Sequence, residues 1–107
     1  MATQYAFFKG QYVPQSEAKI GILTHAFNYG TGVFEGIRAY WNDREQQLYV
    51  WKLREHMQRL TRSCHILTIG LKYSVDELCE ITTEVLRRSE VRWDIYIRPL
   101  AYKSGEV

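Results

Sequence analysis

Val33–Trp51 reads VFEGIRAYWNDREQQLYVW, and this stretch decides the fold class. Val33–Trp41 is rich in aromatic and β-branched residues, which favour a strand. Polar residues at Asn42–Glu45 then supply a turn, and Gln47–Trp51 returns as a second strand. Two such runs separated by a short polar segment predict an antiparallel hairpin.

The same logic extends towards the N-terminus. Tyr5–Phe8 and Gln11–Val13 flank Lys9-Gly10, a second hairpin whose glycine supplies the turn. Residues 14–28 lack periodicity and predict a connection with a short helical turn near His25–Asn28. Towards the C-terminus, Leu53, Met57, Leu60, Cys64 and Leu67 recur at steps of four and three, one face of a helix. Ser74-Val75-Asp76-Glu77 has the form of a capping box: the serine hydroxyl bonds an orphan amide, and Glu77 reaches back to the cap amide. The helix it opens has acids at Asp76, Glu77 and Glu80 and bases at Arg87 and Arg88, each sign matching the helix dipole. Asp94–Tyr102 predicts a last strand that Pro99 forces to an edge or a bulge. The expectation is an α+β domain over residues 1–107, a small antiparallel sheet with two helices on one face.

At 107 residues the chain is long enough for a hydrophobic core without disulfide staples. The net charge of +2 is too small to imply nucleic acid or an acidic membrane as partner. No apolar run reaches bilayer length, and Met1–Tyr5 lacks the basic and apolar regions of a signal peptide. Cys64 and Cys79 both fall in helical patterns, so a reduced, cytoplasmic setting is expected. Ser104–Val107 carries no closing element, which suggests that further chain follows.

Strand alternation puts Phe34, Gly36, Arg38 and Tyr40 on one face, and Tyr96, Arg98, Leu100 and Tyr102 on one face of the last strand. An arginine beside a glycine gap and an aromatic ring suits an anion pocket, and a tyrosine two residues from a guanidinium suits a carboxylate. The bland alternative, which the first strand's pattern alone favours, is an arginine in water with Gly36 at a bulge. Arg59 and Arg62 lie away from the apolar helix stripe, so a helical wheel turns both to solvent. His25, His56 and His65 have no metal-ligand spacing, with each other or with the cysteines, so no metal is expected. Tyr29-Gly30-Thr31-Gly32 is not a phosphate loop. No nucleophile signature is present.

Tyr29–Tyr40 (YGTGVFEGIRAY), Arg54–Leu60 (REHMQRL) and Tyr96–Leu100 (YIRPL) together resemble the N-terminal domain of the branched-chain amino acid aminotransferases, the fold-type IV pyridoxal phosphate enzymes. The resemblance runs from about Tyr5 to Tyr102. It implies transfer of the amino group of leucine, isoleucine or valine to 2-oxoglutarate, with glutamate as the other amino acid. By the same resemblance Arg59 would contact the cofactor phosphate, against the wheel. Phe34, Gly36, Arg38, Tyr96 and Arg98 would line the substrate pocket, and Tyr29 would reach the active site of a neighbouring subunit in a homodimer. Phe27 and Asn28 depart from the Leu-His common before that tyrosine, which puts local packing against the partner in doubt.

In that family the lysine that bonds the cofactor lies in a larger C-terminal domain. None of Lys9, Lys19, Lys52, Lys72 or Lys103 sits in a motif resembling it, so no catalytic residue is expected here and residues 1–107 alone are expected to be inactive and to bind cofactor weakly. D-amino acid aminotransferases and aminodeoxychorismate lyases share the fold but resemble the FEGIR and YIRPL segments less. A free-standing, non-catalytic assembly module is the alternative of another class, and it has no need of Arg38, Arg59, Tyr96 and Arg98 together.

Overall fold

The structure, a computed structural model, describes residues 3–106. Met1, Ala2 and Val107, on which the reading of the two chain ends partly rests, lie outside the described residues. The first hairpin is β1 (Tyr5–Phe8) with β2 (Gln11–Pro14), and it turns through positive φ at both Lys9 and Gly10. Paired positive φ at two central residues matches the twist of the flanking strands. The connection holds a 3-10 turn (Gln15–Glu17) and α1 (His25–Tyr29), one short helix more than the sequence predicts outright. Gly30 closes α1 in the left-handed conformation that a helix end uses.

The strand expected over Val33–Trp41 is two strands, β3 (Gly32–Phe34) and β4 (Ile37–Asn42), interrupted at Glu35-Gly36. The last strand is likewise divided into β6 (Ile95–Ile97) and β7 (Leu100–Tyr102), interrupted at Arg98-Pro99. The two breaks face each other: β3 pairs with β7, β4 pairs with β6, and between them the Glu35 amide donates to the Pro99 carbonyl at 3.1 Å. Pro99 has no amide to return, which is why the ladder fails there. The β content is therefore three small antiparallel sheets, β1-β2, β3-β7 and β5-β4-β6, rather than one. In the last of these, β5 (Gln47–Val50) completes the central hairpin and β6 occupies the edge that Pro99 predicts.

Helix α2 (Leu53–Ile66) places Met57, Leu60 and Cys64 in the core. Leu67, expected on the same stripe, lies beyond the helix end and is 39% exposed. The chain turns away there because Thr68 takes positive φ and Ile69 donates to the Cys64 carbonyl. Helix α3 (Val75–Arg88) carries both halves of the capping box, Glu77 N to Ser74 Oγ at 3.1 Å and Ser74 N to Glu77 Oε1 at 2.9 Å. α2 and α3 pack against each other, α3 against β1 and α2 against β3, with an Arg54–Asp76 ion pair between the helix starts. Ile37 joins Met57, Leu60 and Cys64 as the buried centre, so the strand that follows the Glu35-Gly36 break is clamped against α2. Both cysteines are free. Among the described residues no helix is long and apolar enough to cross a membrane.

Candidate functional site

Alternation across the break sorts the residues of the central strands. Glu35, Ile37 and Ala39 are buried, whereas Phe34, Arg38 and Tyr40 are exposed. The pairing register puts Arg38 opposite Tyr96. The Arg38 guanidinium lies 5.9 Å from the centroid of the Tyr96 ring. Arg98 comes from the facing break and lies across the Phe34 ring at 4.2 Å, while its Nη2 donates to Tyr96 Oη at 2.8 Å. Gly36 is required by this packing: a Cβ there would fall 2.2 Å from Tyr96 Oη and 3.0 Å from Cζ. The five residues Phe34, Gly36, Arg38, Tyr96 and Arg98 thus form one exposed patch, an aromatic floor carrying two cations.

Tyr29 stands apart from this patch. It sits at the end of α1, 65% exposed, with its ring against His25 at 4.8 Å. His25 in turn meets Thr31 Oγ1 through Nδ1 at 2.8 Å, which ties the helix to the segment leading into β3.

On the inner side of the same break lies a group that residue patterns had not singled out. Glu35 is only 5% exposed, and its carboxylate receives Arg59 Nε at 3.1 and 2.9 Å and Arg59 Nη2 at 2.8 Å. His56 Nδ1 lies 2.8 Å from the same Oε1. His56 and Arg59 are three residues apart on α2 and so share a helix face. The Arg59 hydrogen bonds hold the Glu35 carboxyl below the usual carboxylate range, against the opposing effect of burial and with further help from His56. A carboxyl lowered in this way contributes stability above its ordinary pKa of about 4.3 and loses that contribution as pH falls through its own lower value. The signal was present in the sequence: Glu35 is the one charged residue in the row Val33, Glu35, Ile37, Ala39, and a buried carboxylate requires partners.

Arg59 itself is 61% exposed at the side chain, so the solvent-facing direction given by the wheel describes only part of it. Its Nε edge is committed to Glu35, and its Nη1 makes no hydrogen bond among the described residues. The surface thus holds a guanidinium fixed along one edge by Glu35, the residue between Phe34 and Gly36 in the chain.

The family model described as amino-transferase class IV matches residues 32–106, a span that holds every residue of the patch together with Glu35, His56 and Arg59. A probable branched-chain-amino-acid aminotransferase of Aquifex aeolicus is 56% identical over 98 residues, covering 92% of this chain and 32% of that protein. The branched-chain aminotransferase of Thermoproteus uzoniensis, solved with norvaline, superposes with a TM-score of 0.86 at 46% identity, over 92% of this chain and 32% of that one. The branched-chain amino acid aminotransferase of Thermobaculum terrenum, solved in its PLP-bound holo-form, superposes with a TM-score of 0.84 at 35% identity, over 94% of this chain and 33% of that one. The chain therefore spans about a third of the length of these relatives. With sequence, fold and the whole of the patch inside one matched span, the chain belongs to the class IV amino-transferases.

Proposed function

We propose that this chain is the small N-terminal domain of a branched-chain amino acid aminotransferase, and that the whole enzyme moves the amino group of leucine, isoleucine or valine to 2-oxoglutarate in the cytoplasm. The observation that carries this reading is Arg98 lying across the Phe34 ring at 4.2 Å while bonded to Tyr96. An apolar wall and a carboxylate partner at one place is what an enzyme needs if leucine and glutamate are to share a pocket.

Pyridoxal phosphate is the cofactor this reading implies, and the donor set fits it at one point. Arg59 is an exposed guanidinium with one nitrogen uncommitted, suited to a phosphate oxygen. When bound, the cofactor supplies the electron sink for chemistry at the substrate α-carbon. The rest of the work of this chain is binding and orientation. Phe34 and the bare backbone at Gly36 offer the apolar wall, Arg38, Arg98 and the Tyr96 hydroxyl offer the polar rim, and Tyr29 is assigned to the pocket of the other subunit of a homodimer. The lysine and the remaining cofactor ligands are assigned to a larger C-terminal domain.

The direct test is substrate discrimination by the full-length enzyme that carries this chain. Glutamate should form from 2-oxoglutarate with leucine, isoleucine or valine as donor, and D-alanine should be a poor donor. Efficient use of D-alanine with no use of leucine would reject the assignment. The glycine gap makes a second expectation. Gly36→Ala forces the Tyr96 ring tip aside and breaks its bond to Arg98, and one hydrogen bond is worth about 1 kcal/mol. A loss of roughly fivefold in kcat/KM is expected, larger for glutamate than for leucine. An unchanged kcat/KM for both would show that the Tyr96–Arg98 bond does not matter to either substrate.

A further inference from the structure

Glu35 poses a question of sign. A carboxylate sits against the arginine to which the proposed function assigns a phosphate, and by charge alone it weakens an anion site. The geometry points to a different role: we infer that Glu35 is a positioning residue, which locks Arg59 by its Nε edge so that the remaining edge of the guanidinium is held outward for the cofactor phosphate.

The arrangement of the pair supports this. The Glu35 side chain is inside, at 5% exposure, and the Arg59 side chain is outside, at 61%. The contact is side-on through Nε and Nη2, so it fixes the guanidinium plane and not only its distance. A free arginine side chain samples many rotamers, and holding it in one geometry removes an entropic penalty from ligand binding. The anchor is itself held from two directions. His56 Nδ1 meets Glu35 Oε1 at 2.8 Å, and the Glu35 amide is tied to the Pro99 carbonyl at 3.1 Å. The same two-residue break carries Gly36 against Tyr96, so one short segment fixes both the phosphate arginine and the carboxylate patch.

The inference rests on the assignment of Arg59 to the phosphate, and the test separates the two. In the full-length apoenzyme, dissociation constants are measured for pyridoxal phosphate and for pyridoxal, which lacks the phosphate, in the wild type and in Glu35→Gln, Arg59→Ala and the double variant. Glu35→Gln removes a negative charge, yet is expected to weaken pyridoxal phosphate about tenfold while changing pyridoxal less than about twofold. In the Arg59→Ala background the same change should cost no further affinity. Tighter or unchanged binding of pyridoxal phosphate by Glu35→Gln would overturn the inference. Equal losses for the two ligands, or a full additional loss on top of Arg59→Ala, would also overturn it, because Glu35 would then serve only the fold. If Arg59→Ala leaves pyridoxal phosphate binding intact, it is the phosphate assignment that fails. Glu35→Asp keeps the charge but shortens the reach by one methylene. It should show the same phosphate-selective loss in smaller measure, and keeps the test decisive if Glu35→Gln does not fold.

Discussion

Arg59→Ala in the full-length enzyme is expected to weaken pyridoxal phosphate binding by about a hundredfold, with little change in the ranking of leucine, isoleucine and valine. Two effects act in the same direction. On the proposed assignment a charge-assisted contact to the phosphate dianion is lost, and contacts of that kind are among the stronger hydrogen bonds in proteins. The change also leaves the Glu35 carboxylate, buried and already charged at neutral pH, with His56 as its only side-chain partner among those described. On the proposed assignment that carboxylate then repels the phosphate. Arg59→Lys should recover only part of the affinity, because an ammonium is a point charge and cannot bond Glu35 side-on while turning a second edge outward. The measurement is loss of bound-cofactor absorbance on dialysis, followed by titration with excess pyridoxal phosphate. Affinity equal to wild type would show that Arg59 exists for Glu35 alone.

Much of the fold was legible because its signals are local. The capping box at Ser74–Glu77, the Lys9-Gly10 turn and the Met57/Leu60/Cys64 stripe each depend on residues within a few positions of one another, and each appears where the pattern puts it. The breaks at Glu35-Gly36 and Arg98-Pro99 were less legible, since each is a property of the pair. Pro99 announces a fault in its own strand, but only the β3–β7 and β4–β6 registers show that the fault lies opposite Glu35. Alternation nevertheless sorted Phe34, Gly36 and Arg38 correctly, because a two-residue interruption preserves the period of two. Leu67 misled for the opposite reason: the four-and-three spacing runs one residue past the helix end at Ile66, and the positive φ at the next residue, Thr68, turns the chain away. Arg59 shows where a helical wheel stops being informative. It reports which side of a helix is apolar, and is blind to a carboxylate delivered onto the other side by the strand break 24 residues earlier.

Arg98→Ala should separate the two classes of substrate. The expected result is a fall of well over tenfold in kcat/KM for glutamate and 2-oxoglutarate, with leucine reduced only about twofold to threefold. Arg38 and Arg98 both stand at the patch, and the choice between them follows from how each is held. Arg38 lies 5.9 Å from the Tyr96 centroid and makes no side-chain hydrogen bond among the described residues. Arg98 is fixed twice, by the Phe34 face at 4.2 Å and by Tyr96 Oη at 2.8 Å, so it meets a side-chain carboxylate with little further ordering. Arg98 is exposed in this chain, so its removal leaves no buried charge stranded, and the loss is that of a hydrogen bond between charged groups, about 1.5–3 kcal/mol. Since each 1.4 kcal/mol is a factor of ten, that range corresponds to roughly tenfold to a hundredfold. Leucine makes no such bond and loses only the stiffness that the guanidinium lends to Phe34. Arg98→Lys should fall between, keeping the charge but losing the planar stack on the ring. The two half-reactions are followed separately by the cofactor's absorbance in single turnover, with leucine and glutamate as alternative donors. Equal losses for the two donors would assign Arg98 to the α-carboxylate they share, and the side-chain carboxylate would then pass to Arg38.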